Sequence, residues 1–214
     1  MADTIITPPS TISLRLPSKY STSTTLTTSP SPSPPLEWLH GTWSVTHSTL
    51  SMWRAARNVR ITYTPLEPAP ATPKSSSTPR PRLGDMVAYE ASSGKGGVKR
   101  IAGVDTATTG DDTSVWDWRG KGWMFVLSSH WEVLGWGERP LSDGQTERWA
   151  VTWFAATKFT KEGLDIYSDR REGGSKETVE EIIAALKTLG AKPLVELCER
   201  DMVPVEIVLP WKET

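Results

Sequence analysis

The chain of 214 residues has few of the side chains that bind metals or act as nucleophiles. It contains one cysteine, Cys198, and three histidines, His40, His47 and His130. A single cysteine excludes an internal disulfide framework and is typical of a reducing compartment, so we predict a cytoplasmic protein. The histidines are far apart, and none has another histidine or cysteine at metal-ligand spacing. We expect no metal site, although a haem needs only one histidine and stays an open alternative.

Long apolar runs and an excess of charge are missing too. No stretch approaches the length of a membrane-spanning helix, and the N-terminus has no apolar run of signal-peptide length. The 24 basic and 25 acidic residues give a formal net charge of -1. This balance gives no general electrostatic reason to expect nucleic acid or an anionic membrane as a partner. We expect no membrane span and no nucleic-acid binding.

The motifs of nucleophilic and phosphate chemistry are also absent. There is no Gly-x-Ser-x-Gly elbow, and Cys198 lies among apolar residues, as inert buried thiols do. The glycine-rich segment 94–97 lacks the spacing and the following Ser or Thr of a phosphate-binding loop. We therefore expect no cofactor.

Tryptophan, in contrast, is abundant. Ten of the eleven tryptophans lie between Trp38 and Trp153, and most of them fall on segments with the pattern of β-strands. Each indole buries a large flat surface and still offers one N–H donor. This concentration favours a barrel or sandwich with a large apolar interior.

The composition divides the chain into two parts. Residues 1–35 are rich in Ser, Thr and Pro and cannot bury enough apolar surface to fold, so we expect them to be disordered. Residues 36–214 are long enough for one domain with its own core. A second Pro- and Ser-rich run, 65–81, is predicted to be a long loop between strands.

Within that domain, short runs of alternating apolar and polar residues are separated by turn residues, as in a β-meander. The predicted strands are 41–50, 58–64, 85–91, 98–104, 114–118, 123–127, 129–136, 147–157 and 164–168. A C-terminal α-helix is predicted at about 175–190, with Ser175 as N-cap and an apolar stripe that includes Ile182 and Leu186. About eight or nine strands in this order predict a mainly β fold, a closed up-and-down antiparallel β-barrel.

A family resemblance supports the barrel. The segment His40-Gly41-Thr42-Trp43-Ser44-Val45 opens the first strand with Gly-x-Trp. With the meander and the late helix, it resembles the calycins, which include the lipocalins and the fatty-acid-binding proteins. In that superfamily the tryptophan packs across the closed end of the barrel, often beneath an arginine from a late strand. The resemblance assigns that arginine to Arg148 or Arg170.

Two further segments, 114–123 and 128–137, look similar to small lipocalin-like proteins of filamentous fungi. Lipocalin-like folds also serve as cofactor-free cyclases in fungal secondary metabolism, including Diels–Alderases. The resemblance therefore implies either ligand binding or such a cyclisation, and fold alone does not decide between them.

Strand phase selects three polar side chains as candidate catalytic groups. If Trp43 points inward, the period of two places His47 on the same face, where it could polarise a carbonyl or move a proton. Tyr63 could donate a hydrogen bond to developing negative charge. Asp117, or alternatively Glu132, could face the same pocket. Each is equally compatible with an ordinary hydrogen-bonded strand residue.

Tryptophans are the expected ligand-binding residues, because apolar pockets with few polar groups are the usual sites for small molecules. The candidates are Trp43, Trp53, Trp116, Trp118, Trp123, Trp131, Trp149 and Trp153. The alternative is that many of them fill a solid core or cover the outside beneath the helix.

Three functions follow from this pattern. The favoured hypothesis is an enzyme that binds a bulky apolar molecule and catalyses its cofactor-free cyclisation or isomerisation, since a pericyclic reaction needs mainly a restricted conformer. The alternative is a carrier or sensor that binds a hydrophobic ligand without turnover. A protein-binding scaffold becomes the better hypothesis if the tryptophans point outward.

Overall fold

The structure, a computed structural model, describes residues 12–21, 32–71 and 78–212. Its strands are β1 (Gly41–Ser48), β2 (Ala56–Ala69), β3 (Arg80–Ala91), β4 (Lys99–Ala107), β5 (Val115–Gly120), β6 (Ser128–Pro140), β7 (Thr146–Phe154), β8 (Gly163–Ser168) and β9 (Val203–Pro204). Its α-helices are α1 (Leu36–Leu39), α2 (Lys176–Lys187) and α3 (Lys192–Asp201). Among these residues, no helix is both long enough and apolar enough to cross a membrane.

Eight strands close into an antiparallel up-and-down barrel, which confirms the predicted fold class. Each strand from β1 to β8 pairs with the next one in sequence, and β1 pairs with both β2 and β8. In this register Trp43 lies opposite Ile61, and Val45 lies opposite Tyr167. The short β9 pairs with the end of β1 as a ninth strand.

Two predicted loop and strand assignments were wrong. The predicted strand 123–127 is a turn that contains a short 3-10 helix at Gly122–Met124, with Gly122 at a φ of 60°. The Pro-rich run 65–81 is in part strand, because Pro65 pairs with Leu83 and Leu66 with Arg82. Strands β2 and β3, which form this hairpin, are therefore both longer than predicted.

The two ends of the barrel differ. Helix α1 covers the end at which β1 begins, which we call the closed end. There the guanidinium carbon of Arg148 lies 5.0 Å from the ring centroid of Trp43, and Nη1 of Arg148 donates to the carbonyl of Trp38 at 2.9 Å. Arg170 instead pairs with Glu172 on the surface. Arg148 thus occupies the position that the calycin resemblance implied.

Helices α2 and α3 cover the outer face of β6–β8. The apolar stripe of α2, with Ile182 and Leu186 fully buried, packs in one cluster with Trp149 and Trp153. As predicted, Ser175 caps α2, and its hydroxyl accepts from the amide of Thr178. This layer forms a second apolar core outside the barrel.

The expectation of disorder is not met by residues 12–21. Residues 12–17 run along β6, where the amide of Arg15 donates to the carbonyl of Leu134 at 2.8 Å, and Ser18–Tyr20 form a short 3-10 helix. A Cβ atom on Gly135 would lie 2.4 Å from Leu14, so the missing side chain lets this segment approach the sheet. Apolar residues at 12, 14, 16 and 20 pack on the outer core. The high Ser, Thr and Pro content of residues 1–35 gave no indication of this packing. Residues 1–11 and 22–31 lie outside the described residues.

Candidate functional site

A deep recess opens at the end of the barrel opposite α1, which we call the open end. It measures about 1120 Å³, large enough for a drug-sized molecule. It is bordered by the loops that follow β1, β5 and β7, and its walls come from the barrel strands. Strand alternation divides these walls into an inner chamber and an outer groove.

The inner chamber lies inside the barrel. Its main lining residues are Leu50, Trp53, Ile61, Tyr63, Asp85, Val87, Ile101, Trp118, Trp131, Phe154, Asp165 and Tyr167. The outer groove lies across the outside of β3–β6 and is more polar. Its lining residues are Arg80, Arg82, Val104, Thr106, Asp117, Arg119, Ser128 and His130.

Trp131 is the centre of the aromatic packing in the chamber. Its ring stacks on Tyr63 with centroids 5.8 Å apart and on Trp116 with centroids 5.9 Å apart. Phe154 stacks on it at 6.4 Å. The three packed rings leave the indole little freedom, so the part of it that borders the recess is a rigid piece of the wall.

Trp118 lies flat along the neighbouring wall because Gly103 has no side chain. A Cβ atom at Gly103 would lie 2.0 Å from Nε1 of Trp118. The glycine therefore determines where this indole lies and keeps space open in front of it.

Two aspartates point into the barrel from adjacent strands: Asp85 lines the chamber, and Asp105 is fully buried. Tyr63 lies opposite Asp85 in the β2–β3 register, and Asp105 lies opposite Trp118 in the β4–β5 register. Nε1 of Trp131 donates to Oδ1 of Asp105 at 2.7 Å. Both carboxyl groups are buried, which disfavours the charged form.

Burial raises the pKa of Asp85 from its usual value of 3.8 to about 7. Burial, together with the neighbouring charge of Asp85, raises the pKa of Asp105 well above its usual range. At neutral pH the pair therefore holds at least one proton. A neutral carboxyl group can donate a hydrogen bond, so the pair can bind a carbonyl or hydroxyl oxygen of a ligand.

A third buried carboxyl group lies on β8. The hydroxyl of Ser48 donates to Oδ1 of Asp165 at 2.5 Å. Burial raises the pKa of Asp165 to about 7, although the Ser48 hydrogen bond works against this rise. Burial also raises the pKa values of Tyr63 and Tyr167 well above their usual value, and the acidic groups around them add to the effect. The chamber thus combines aromatic walls with four weakly acidic lining groups, and a fifth, Asp105, is buried inside the barrel.

Of the three predicted catalytic residues, only Tyr63 lies in the chamber. The inward orientation predicted for His47 was wrong, because a β-bulge between Val45 and His47 interrupts the alternation. Ser48 points inward instead and binds Asp165. His47 is not part of the recess, and its partial burial lowers the pKa of its imidazole.

Asp117 lies on the outer groove, where it is largely exposed. Its Oδ1 is 2.8 Å from Nδ1 of His130, and Nε2 of His130 is 3.5 Å from the buried Glu132. The hydrogen bond to Glu132 and the charge of Asp117 raise the pKa of His130 despite its partial burial. Arg15 pairs with Glu132 at 2.8 Å from the other side. This row of charges holds residues 12–21 against the barrel and does not enter the chamber.

The structure places the eight candidate tryptophans in several environments. Those that line the recess are Trp53, Trp118 and Trp131. Trp43 and Trp116 are buried inside the barrel nearer the closed end. Trp149 and Trp153 lie on the outer face of β7, so their predicted lining position was wrong: they pack in the outer core together with α2 and residues 12–20. Trp123 is 84% exposed on the loop after β5 and does not line the recess.

Sequence reasoning missed the chamber residues Asp85, Asp165 and Tyr167, and the buried Asp105. One signal was present: Asp85 and Asp105 occupy strand positions whose neighbours two residues away are apolar or small. A charged residue on such a face is usually read as a sign that the face is exposed. No group of three or more His, Cys, Asp or Glu suited to a metal ion occurs within the described part of the chain.

No family model and no curated protein matches the sequence. Solved structures of lipocalin-type proteins are similar in fold. Apocrustacyanin C1 is 11% identical with a TM-score of 0.49, over 79% of this chain and 78% of that one. Lobster apocrustacyanin A1 is 10% identical with a TM-score of 0.48, over 82% and 81%. The siderocalin Ex-FABP is 15% identical with a TM-score of 0.48, over 79% and 94%.

Proposed function

We propose that this protein binds one bulky, mainly apolar small molecule in the inner chamber. The observation that carries this proposal is the inner chamber, the part of the recess of about 1120 Å³ in which aromatic rings surround a few buried polar groups. Small-molecule sites are typically concave and apolar, with few but well-placed polar groups. A free and buried Cys198 agrees with the further proposal of a cytoplasmic location.

The polar groups define the kind of ligand. Asp85 and Tyr63 are neighbours across β2 and β3, and both are protonated, wholly or in part, at neutral pH. They offer donors, whereas the basic side chains of the recess lie in its outer groove and on its loops. The expected ligand therefore carries a carbonyl or hydroxyl oxygen at its inner end.

Titration with 1-aminoanthracene, a flat neutral fluorescent probe, tests this binding. We expect saturable enhancement of probe fluorescence by the wild type. Ile101→Trp, which fills the chamber from β4, should weaken binding about tenfold or more, because the probe and the new indole compete for the same space. Met86→Trp, at an exposed position on β3, is the matched control and should bind as the wild type does. Equal binding by Ile101→Trp and the wild type would refute the proposal.

A second function, cofactor-free cyclisation or isomerisation of the bound molecule, is favoured by Asp85. A carboxyl group with a pKa of about 7 in an apolar chamber is suited to general acid catalysis. In the proposed step the Asp85 proton moves to a carbonyl oxygen of the substrate, and the carboxylate takes a proton back when the product forms. Tyr63 would stabilise the same oxygen, and the aromatic walls would restrict the conformer. Lipocalin-like folds that serve as cofactor-free cyclases in fungal secondary metabolism are an analogy of fold for the same class of reaction.

The test compares product formation from linear polyenes that carry an aldehyde or ketone, with and without the protein. Turnover should be faster than in buffer and give a different stereochemical ratio. Asp85→Asn should reduce the rate at least tenfold, since the amide cannot transfer its proton, while 1-aminoanthracene binding changes little. If the wild type gave the same rates and products as buffer alone, the catalytic hypothesis would be refuted, and binding without turnover would be the remaining proposal.

A further inference from the structure

The loops at the open end carry an unusual set of exposed side chains. These loops are 49–55, 92–98, 121–127 and 155–162, and an up-and-down meander brings all four to one end. Of the eight large apolar side chains exposed in the described chain, five lie in them. The five are Met52, Trp123, Phe125, Val126 and Phe159.

Two of these loops hold the most exposed side chains of the set. Trp123 is 84% exposed and Phe159 is 79% exposed. The turn at Gly122–Met124 presents Trp123, followed directly by Phe125 and Val126. Exposed aromatic residues grouped around one opening mark an interaction site rather than a scattered surface. Their grouping indicates a surface that binds one particular kind of partner.

The charged residues of these loops indicate the chemistry of that partner. The same four loops contain five basic residues, Arg54, Lys95, Lys121, Lys158 and Lys161. Their only acidic residue is Glu162, which binds Lys19 and Tyr20. At the closed end, loops 108–114 and 141–145 contain three aspartates and no lysine or arginine, and the segment 169–175 after β8 contains two acidic and two basic residues. The net charge of -1 thus conceals a barrel with a basic open end and an acidic closed end.

We propose that the open end docks on an anionic lipid membrane. Trp123, Phe125 and Phe159 would enter the interface between headgroups and acyl chains, where aromatic rings are favoured. The lysines of the same loops would lie among the anionic headgroups. In this orientation the recess faces the bilayer, from which an apolar molecule can enter it directly. The docking itself does not depend on what the chamber binds.

Co-sedimentation with vesicles tests the docking. The wild type should pellet with vesicles of phosphatidylcholine that contain about 30% phosphatidylserine, and much less with phosphatidylcholine alone. Binding to the anionic vesicles should fall in high salt, which screens the lysines. Absence of pelleting with either vesicle would overturn the proposal and would leave the aromatic loops to a protein partner.

Two pairs of variants separate the apolar and electrostatic parts. The double variant Trp123→Ser and Phe125→Ser should lose vesicle binding at least tenfold, whereas Met86→Ser, exposed on the side of the barrel, should bind as the wild type does. Lys121→Glu should weaken binding about fivefold or more, whereas Lys187→Glu on α2 should not. Neither the double variant nor Lys121→Glu changes a residue that lines the recess. Far-ultraviolet circular dichroism and binding of 1-aminoanthracene can therefore verify that these variants are folded. Unchanged vesicle binding by the double variant would overturn the proposal.

Discussion

Replacing the buried Asp165 by asparagine should make the protein more stable, relative to the wild type, as the pH rises. The side chain is 1% exposed, and its pKa rises from 3.8 to about 7 because burial disfavours the carboxylate. A carboxyl group whose pKa is raised on folding stabilises the fold fully below its unfolded pKa. That contribution is lost as the pH rises through the folded pKa. Asparagine has no ionisable group and keeps the oxygen that accepts from Ser48.

The magnitude follows from the shift. At about 1.4 kcal/mol per pKa unit, a rise of about three units corresponds to roughly 4 kcal/mol in total, of which about 2–3 kcal/mol falls between pH 5 and pH 8. The free energy of unfolding of Asp165→Asn minus that of the wild type should therefore increase by about 2–3 kcal/mol over this range. Because other carboxylates are common to both proteins, their titration cancels in the difference.

Urea unfolding of both proteins at pH 5 and pH 8, followed by tryptophan fluorescence, measures this difference. Asp111→Asn, the same substitution at an exposed position, is the matched control. A difference for Asp165→Asn that stays constant from pH 5 to pH 8 would refute the reasoning that this carboxyl group is protonated in the fold.

Three further predictions concern the layers around the barrel. Arg15→Met should destabilise the fold by about 2–3 kcal/mol, because it removes the guanidinium 2.8 Å from the buried carboxylate of Glu132 and leaves only the more distant His130 as an ion-pair partner. Chemical unfolding measures this, and Lys187→Met, exposed on α2, is the comparison. Ile182→Ala should cost roughly 2–5 kcal/mol, since this side chain of α2 is fully buried against the outer face of the barrel, and a loss below 1 kcal/mol would contradict the packing. Gly103→Val should displace Trp118, so its 1-aminoanthracene affinity should fall while far-ultraviolet circular dichroism remains that of a barrel.

The barrel could be predicted from the sequence because its signal is local. Alternation and turn residues gave strands in meander order, and Gly41 and Trp43 marked the first of them. What local pattern could not show is which face of a strand is the interior. In β7, Trp149 and Trp153 alternate with Ala150 and Thr152, and only the packing of α2 shows that the tryptophans lie outside. Both faces of β7 are buried, so burial alone does not distinguish them.

The candidate site was less predictable for a related reason. The bulge before His47 shifts the alternation of inward and outward side chains by one residue, and no residue type in the segment indicates that a bulge occurs there. Asp85 and Asp105 are buried because the barrel places them beside each other and beside Tyr63 and Trp131, which is a consequence of register. The net charge likewise gave no sign of the basic open end, since the separation of charge depends on which loops the topology brings together.

The position of a bound ligand tests the central claim most directly. A crystal structure with a bromine-substituted naphthyl ketone would locate the ligand by the anomalous signal of bromine. We predict a bromine peak inside the barrel, with the naphthyl ring against Trp131 and the ketone oxygen within hydrogen-bond distance of Asp85 or Tyr63. A peak only in the outer groove, beneath α2 or on the surface loops would contradict the claim that the inner chamber is the binding site.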